Sequence, residues 1–383
     1  MNNTADVVVI GGGIIGMATA FYLAKANFGK ITVLEKEALL GAGATSKAAG
    51  GIRAQFVTED NVKMSMLSEK MFCQFKEDTG HDALYDQVGY LFLVKEDKDA
   101  EVFKKSVAMQ KSCGLNVSIL SLEEIKEIAP HVSLEGVQFG TFCPDDGLGD
   151  PHEFLSGYDS ACRKMGVNIE LEAEVTGIEC NGDAVSLIKT VKGNISTPLI
   201  VNAAGPYSKL IGKMAGADVR VDPFRRQIVT TGELSFVQPT FPMVVDVSSG
   251  LYCHKESKGM LLGWADKNVQ PSFDVSIDPE YTDAILERAL ELMPQLEEAE
   301  VANEWAGLYE TTPDHRAIIG NDPKVKGMFH VCGFSGHGFM HAPAAGIVTT
   351  EILSGKTPSV DISSYAPDRF ANADSLVEET NVI

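Results

Sequence analysis

The chain has 383 residues, and its 32 Lys plus Arg against 53 Asp plus Glu give a formal charge of −21. A surface this acidic argues against nucleic-acid binding and against docking on anionic lipid through a basic patch. Hydrophobic residues make up 44% and charged residues 22%, which indicates a folded chain of two or three domains. The seven cysteines form no C-x-x-C pair, so reduced thiols in a cytoplasmic protein are expected.

The first predicted elements are a strand at 6–10, a helix at 14–26 and a strand at 30–34. Together they form a β-α-β unit. Residues 7–24 carry no charge and are nearly numerous enough to cross a bilayer. Three glycines divide this stretch into a buried strand and a buried helix, so we predict no transmembrane segment.

The following elements alternate between the two types. Helices are predicted at 61–77, 97–111, 121–128, 151–165, 278–292 and 343–353. Strands are predicted at 89–94, 167–171, 185–190, 199–202, 227–231, 243–247, 260–264 and 328–332.

A glycine fingerprint, Gly11-x-Gly13-x-x-Gly16, stands between the first strand and the first helix. Its glycines permit a tight turn, let backbone N–H groups approach a pyrophosphate, and let helix and strand pack closely. Glu35 ends the second strand, where a carboxylate can accept both hydroxyls of an adenosine ribose. This combination predicts a dinucleotide site; an ordinary glycine turn is the alternative.

Two further segments indicate which dinucleotide binds. Small residues fill 43–51, and a second glycine cluster at 333–338 precedes a helix. Small residues let the backbone lie against a large flat ligand, and a helix N-terminus favours an electron-rich ring edge. Two such loops fit an elongated FAD better than NAD.

Because these loops lie at opposite ends of the chain, we predict an α/β fold with a domain built from non-adjacent segments. The predicted Rossmann-type FAD-binding domain comprises 1–85, 145–215 and 310–383. The predicted substrate domain, an α+β unit with an antiparallel sheet, comprises 86–144 and 216–309.

Three motifs occur together and in order: the N-terminal fingerprint, WAGLYETTPD at 305–314 and GFSGHG at 333–338. On these motifs nearly the whole chain resembles the D-amino-acid oxidase superfamily of FAD-dependent amine oxidoreductases. Within it, the chain is most similar to the branch of the sarcosine oxidase β-subunit and the L-proline dehydrogenase β-subunit.

The resemblance implies cofactor contacts spread along the chain. The expected FAD-binding residues are Gly11, Gly13, Ile15, Gly16, Glu35, Lys36, Ser46, Ala49, Gly50, Gly51, Val175, Ala204, Gly205, Gly307, Gly333, Ser335, Gly336, His337, Gly338 and Met340. Backbone N–H groups of the last segment would stabilise negative charge on the reduced flavin. For Val175 an ordinary strand position stays the alternative.

The chain also departs from monomeric sarcosine oxidase. That enzyme links its flavin to a cysteine at the place of Gly307, so non-covalent FAD is expected here. Its carboxylate-binding lysine is replaced by Met340, and its basic residues beside the flavin by Leu261 and Ala265. A cation near the flavin assists superoxide formation, so these departures favour a dehydrogenase over a fast oxidase.

Four residues are predicted to be catalytic or to bind substrate: Tyr252, Arg53, Arg226 and His337, with Arg225 as a further candidate. Guanidinium groups grip carboxylates bidentately, and a tyrosine can close an aromatic wall. Surface salt bridges for the arginines and core packing for Tyr252 stay alternatives. No metal site is expected, because glycines flank His337 and no third ligand is near in the sequence.

The predicted function is FAD-dependent oxidation of the C–N bond of a small amino acid by hydride transfer to flavin N5. An L-proline- or sarcosine-like secondary amine is the expected substrate. Three alternatives stay open: a glycine or D-amino-acid oxidase that uses O₂, a flavoprotein subunit active only with electron-accepting partner subunits, and a 2-hydroxy-acid dehydrogenase.

Overall fold

The computed structural model describes residues 3–266, 268–371 and 376–380. Strands β1 to β10 are Val7–Ile10, Ile31–Leu34, Gly51–Ile52, Tyr85–Asp86, Tyr90–Val94, Ser118–Leu120, Phe139–Cys143, Gly147–Gly149, Asn168–Glu170 and Val175–Asn181. Strands β11 to β20 are Ala184–Thr190, Gly193–Ser196, Ile200–Asn202, Asp222–Thr231, Met243–Asp246, Leu251–Glu256, Gly259–Trp264, Val301–Thr311, Ile318–Asn321 and Met328–Cys332. Helices α1 to α9 are Ile14–Lys25, Glu59–Cys73, Phe75–Thr79, Asp97–Ser112, Leu122–Ile128, Pro151–Lys164, Ser208–Ala215, Pro279–Leu292 and Gly338–Leu353.

One sheet joins strands that are far apart in the chain. Its order is β19-β20-β13-β1-β2-β9, and every pair is parallel except β19–β20. Its β-branched strands are buried on both faces, as a parallel sheet covered by helices requires. Helices α1 and α9 cover one face and approach closely, since a Cβ on Gly346 would lie 2.9 Å from the Ala18 carbonyl oxygen. The predicted Rossmann-type sheet of non-adjacent segments is therefore confirmed.

A second sheet has eight strands in the order β18-β14-β17-β16-β15-β5-β7-β6. It is antiparallel, as predicted, apart from one parallel pair between β15 and β5. On one face Val229, Val244 and Leu262 pack with helix α8. The opposite, inner face carries a separate apolar cluster that includes Ile228 and Leu261. Strand β18 runs across the predicted domain boundary at residue 310, and the boundaries themselves stay a prediction.

Helix α9 begins at Gly338, five residues before the predicted start at Pro343. Proline is favoured in the first turn of a helix and disfavoured further inside it. Here Pro343 lies inside the helix, and burial of the neighbouring side chains compensates for the missing backbone hydrogen bond. The earlier start brings the helix N-terminus to the glycine turn before it.

Within the described ranges, no helix has both the length and the apolar run needed to cross a bilayer.

Candidate active site

A cavity of about 480 Å³ lies between the carboxyl ends of the parallel strands and the inner face of the eight-stranded sheet. Open α/β sheets bind ligands at this edge. Most predicted site residues line it: Gly11, Gly13, Ile15, Glu35, Lys36, Ala49, Gly50, Gly51, Arg53, Val175, Ala204, Gly205, Arg226, Tyr252, Gly307, Gly336, His337, Gly338 and Met340. The fold thus brings together residues from both ends of the chain.

Four predicted residues lie outside this lining and hold its loops instead. A Cβ on Gly16 would lie 1.9 Å from the Gly11 carbonyl oxygen, so this glycine lets helix α1 pack on the turn. The Ser46 hydroxyl donates to two carbonyl groups of its own loop. The Gly333 N–H donates to a carboxylate of β18, and the Ser335 hydroxyl accepts an N–H at the end of that strand. A direct FAD contact for these four stays a prediction.

Two glycine turns leave bare backbone on the cavity wall. Gly11 has φ +112°, and a Cβ there would lie 2.2 Å from the Ala203 carbonyl oxygen. Gly336 has φ +98°, and a Cβ there would lie 2.4 Å from the ring of Tyr309. Helices α1 and α9 begin directly after these turns. Glycine is required at both positions, and the exposed N–H groups at two helix N-termini fit a diphosphate and an electron-rich ring edge.

The Glu35 carboxylate ties the fingerprint turn to the end of β2. Its Oε2 accepts the N–H of Gly12 at 2.8 Å, and its Oε1 accepts the N–H of Glu37 at 2.9 Å. The neighbouring Lys36 ammonium lies 3.9 Å from the ring centre of Tyr207. Glu35 therefore shapes this end of the cavity through the backbone and also lines the cavity itself.

Lys47 is a cavity residue that the sequence analysis missed. A Cβ on Gly307 would lie 2.6 Å from the Lys47 Cβ, so a larger residue at 307 requires this loop to shift. The Trp305 indole N–H donates to the Lys47 carbonyl oxygen at 3.2 Å and joins the loop to β18. The one signal in the sequence was a single lysine within a run of small residues.

Arg53 and His337 form a buried pair on the cavity wall. The Arg53 Nη2 lies 3.2 Å from the His337 Nε2, and the guanidinium stacks 4.0 Å from the ring centre of Phe56. Burial, and then the nearby Arg53, hold the pKa of His337 well below its usual range. Because arginine only donates, the neutral His337 accepts this bond at Nε2 and carries its proton on Nδ1. His337 thus orients Arg53, and a direct catalytic role for it stays a prediction.

Arg226 reaches the cavity from strand β14. Its guanidinium lies 5.2 Å from the ring centre of Tyr309, and its Nη1 donates to the Arg225 carbonyl oxygen at 3.0 Å. Its Nε is buried without a hydrogen-bond partner among the described residues. Nor does any described carboxylate form an ion pair with it. A guanidinium with an unused donor fits an anionic ligand.

Tyr252 packs its ring over Gly263, where a Cβ would lie 2.1 Å from the Tyr252 Cζ. Its hydroxyl is hydrogen-bonded to Tyr309, a residue that the predictions did not include. Burial raises the pKa of both phenols, so both stay neutral at physiological pH. The two rings form an aromatic wall beside Arg226.

One sequence expectation needs correction. Arg225 does not line the cavity; its Nη2 forms an ion pair with Asp278 at 2.9 Å and its Nη1 bonds the Ser276 carbonyl oxygen. Along a strand neighbouring side chains point to opposite faces, so Arg225 and Arg226 cannot both face the cavity. Leu261 lies on the inner face but is buried in the apolar cluster there, where a cation would lack water and a partner.

Glu310 is another cavity residue that the predictions missed. Its Oε2 accepts the N–H of Gly333 at 3.0 Å. Its oxygens lie 3.7–3.8 Å from the positions that a Cβ on Gly205 or Gly338 would take. Burial raises its pKa to about 7. Two glycine loops therefore converge on a carboxyl group that is partly protonated at neutral pH.

A model of the family described as FAD dependent oxidoreductase matches residues 6–352. The chain belongs to this family. Membership confirms the FAD prediction and the resemblance to the D-amino-acid oxidase superfamily. The glycine turns have no space for a side chain, and the bare backbone that they present fits that cofactor.

Similar structures and relatives agree with the assignment to the FAD dependent oxidoreductases. L-proline dehydrogenase from P. horikoshii has a TM-score of 0.91 and 31% identity, and the match covers 97% of this chain and 99% of that one. Glycine oxidase from Geobacillus kaustophilus has the same fold, with a TM-score of 0.85, 24% identity, and coverage of 96% and 99%.

Among curated relatives, sarcosine dehydrogenase of Mus musculus is 28% identical over 100% of this chain and 43% of its own length. Dimethylglycine dehydrogenase of Rattus norvegicus is 28% identical over 96% of this chain and 45% of its own length. The chain thus spans less than half the length of these two relatives.

Proposed function

We propose that this FAD-dependent oxidoreductase oxidises the C–N bond of an L-proline- or sarcosine-like secondary amine and acts as a dehydrogenase. The family establishes the coarser activity, FAD-dependent oxidation–reduction, and the similar structures and relatives support an amine or amino-acid substrate. The names of the relatives, L-proline dehydrogenase and sarcosine dehydrogenase, support the finer choice.

One observation carries the proposal for an amino-acid substrate. The Arg226 guanidinium faces the cavity with a buried Nε that has no partner in the described part of the chain. A substrate carboxylate in the cavity would pair with the guanidinium and cancel its charge. A simple amine without a carboxylate would leave the guanidinium desolvated and unpaired, which is costly.

The residues around Arg226 suit a small substrate. Tyr252 and Tyr309 form one side of the pocket, and Ile228 and Met243 form an apolar floor. These side chains exclude water from the reacting carbon and leave the amine in a medium that favours its neutral, reactive form. FAD, when bound, supplies the acceptor for the hydride. Arg53, oriented by His337, adds positive charge where negative charge develops.

An anaerobic bleaching screen tests the substrate. The purified yellow protein is mixed without oxygen with L-proline, sarcosine, glycine, D-alanine, L-lactate and dimethylamine, and loss of flavin absorbance is followed. We expect rapid bleaching by L-proline or sarcosine and none by dimethylamine, which lacks the carboxylate. Bleaching by L-lactate alone would replace the proposal with a 2-hydroxy-acid dehydrogenase.

The cavity also supports a second candidate, an oxidase that uses O₂. The departures at Leu261 and Ala265 favour a dehydrogenase, but the cations of Lys47, Arg53 and Arg226 line the cavity. Stopped-flow reoxidation of substrate-reduced protein in air decides between them. We expect reoxidation to be slower than turnover with a dye acceptor. If oxygen keeps pace, the protein is an oxidase, and Lys47→Met then tests which cation is responsible.

Non-covalent FAD is part of the same proposal, because Gly307 offers no thiol and Lys47 fills the space beside it. Acid precipitation is expected to release all flavin as FAD into the supernatant; flavin in the pellet would contradict this. Electron-accepting partner subunits and a cytoplasmic location stay proposals. Turnover by the isolated chain with a dye, compared with turnover after addition of its co-purifying proteins, tests the former.

A further inference from the structure

Residues 268–278 connect strand β17 to helix α8 and form neither helix nor strand. Two of these residues, Phe273 and Val275, lie outside the eight-stranded sheet, and their side chains line the far end of the cavity. That end is also lined by Glu35, Lys36 and Val175, the residues expected at the adenosine of FAD. A segment of the substrate side of the molecule therefore covers the cofactor side.

The covering contact is an aromatic stack. The rings of Phe273 and Tyr207 have centroids 4.9 Å apart and planes 22° apart. The Lys36 ammonium lies 3.9 Å from the centre of the same Tyr207 ring. Phe273 is still 42% exposed, so the stack is at the surface, at the mouth of the cavity.

Below the segment the structure is open. A second cavity of about 310 Å³ lies beneath it and is lined by Arg225, Asp266, Val269, Gln270, Ser272, Asp274, Asp278 and Tyr281. The segment is attached near its middle, where the Ser272 N–H donates to the Pro223 carbonyl oxygen. Near its end Arg225 bonds the Ser276 carbonyl oxygen and pairs with Asp278. The Phe273–Tyr207 stack is its aromatic contact with the opposite wall.

We propose that residues 268–278 form a strap over the adenosine end of the FAD cavity, with Phe273 on Tyr207 as its latch. The strap slows release of the cofactor and takes no part in the chemistry. This inference rests on FAD binding by the family and is independent of the proposed substrate.

Release of FAD from the diluted holoenzyme, followed by fluorescence anisotropy, tests the latch. Phe273→Ala is expected to accelerate release roughly two- to tenfold, the effect of one aromatic contact. Phe273→Tyr keeps the ring and should retain the wild-type rate. Phe236→Ala is the matched control, because Phe236 contacts His131 elsewhere on the same side of the molecule. If Phe273→Ala releases FAD at the wild-type rate, the proposal is overturned.

Two further measurements separate a latch from a general loosening. Phe273→Ala should weaken binding of ADP to the apoprotein by a similar factor and leave binding of riboflavin 5′-phosphate unchanged, because only ADP carries the adenosine. In a Tyr207→Ala background, Phe273→Ala should add no further acceleration. An equal loss for both ligands, or a full additional effect in that background, would refute the strap.

Discussion

The two walls of the cavity differ in how their chemistry is encoded. The cofactor wall consists of the glycine turns at residues 11–16, 203–205 and 336–338 and presents mainly backbone. The substrate wall consists of Tyr90, Arg226, Tyr252 and Tyr309, whose side chains come from four strands. Backbone surfaces depend on the absence of side chains, whereas the substrate wall depends on their identity. The cofactor wall can therefore stay constant across a family while the substrate wall changes with the substrate.

The largest expected effect concerns Glu310, where the two walls meet. Burial raises its pKa from 4.5 to about 7, so the folded apoprotein binds a proton that the unfolded chain has released. Its contribution to stability is full below pH 4.5 and is lost as the pH rises through 7, at a cost of roughly 3 kcal/mol. Relative to Glu310→Gln, the wild-type apoprotein should lose about this much stability between pH 5 and 8.

Urea unfolding of both apoproteins at several pH values measures this difference. Glu179→Gln, which removes an exposed carboxylate from a surface pair, serves as the control and should track the wild type. Parallel curves for wild type and Glu310→Gln would show that Glu310 stays ionised in the folded protein.

Arg226→Met tests the substrate wall. Removing the cation while keeping an unbranched stem should lower kcat/KM for the amino-acid substrate roughly 100-fold, about 2.7 kcal/mol, with FAD binding unchanged. Steady-state kinetics with a dye acceptor give the value. Arg220→Met removes a guanidinium from an exposed pair with Asp218 and should leave kcat/KM within twofold. If kcat/KM is unchanged in Arg226→Met, the substrate carboxylate is recognised by Arg53 instead.

Glu35→Ala tests the cofactor wall. The change removes the acceptor for the Gly12 N–H and the proposed ribose contact, so FAD binding should weaken roughly tenfold or more, at least 1.4 kcal/mol. The spectrum of the bound flavin should not change, because Glu35 is expected at the adenosine and not at the isoalloxazine. Titration of apoprotein with FAD measures the affinity, with Glu179→Ala as the control for charge. Unchanged affinity would show that Glu35 acts on the turn alone.

The smallest expected effect is that of Gly307→Ala. Its Cβ would meet the Lys47 Cβ at 2.6 Å, which should destabilise the apoprotein by about 1 kcal/mol. Lys47→Gly in the same chain should restore part of the loss, as thermal unfolding would show. Equal stability of wild type and Gly307→Ala would mean that the loop shifts freely.

The cofactor wall could be predicted because its parts are contiguous in the sequence. The fingerprint and Glu35 lie within one β-α-β unit, so strand, turn and helix fix their relative positions. The substrate wall could be predicted only in part. Arg225 and Arg226 look equivalent in sequence, but in the ladder Arg226 pairs with Gly307 and Arg225 with Leu308. A register shifted by one residue would exchange them, and no local pattern fixes that register.

Residues that act through distant contacts gave no usable signal. Lys47 matters because the backbone of Gly307 lies against it, and Phe273 because Tyr207 lies beneath it. Both contacts join segments separated by more than 60 residues. Glu310 belongs to the motif at 305–314, but its burial is evident only in the folded protein, where the glycine loops surround it.

The pairing of α1 with α9 has a consequence for synthesis on the ribosome. Helix α1 leaves the ribosome more than 300 residues before α9, and β1 waits almost as long for β20 to complete its sheet. At 5–20 residues per second this delay lasts roughly 15 to 60 s. Throughout that interval the apolar helix α1 lacks α9, so the face that α9 later covers stays unburied. The complete FAD cavity can form only after α9 has been synthesised.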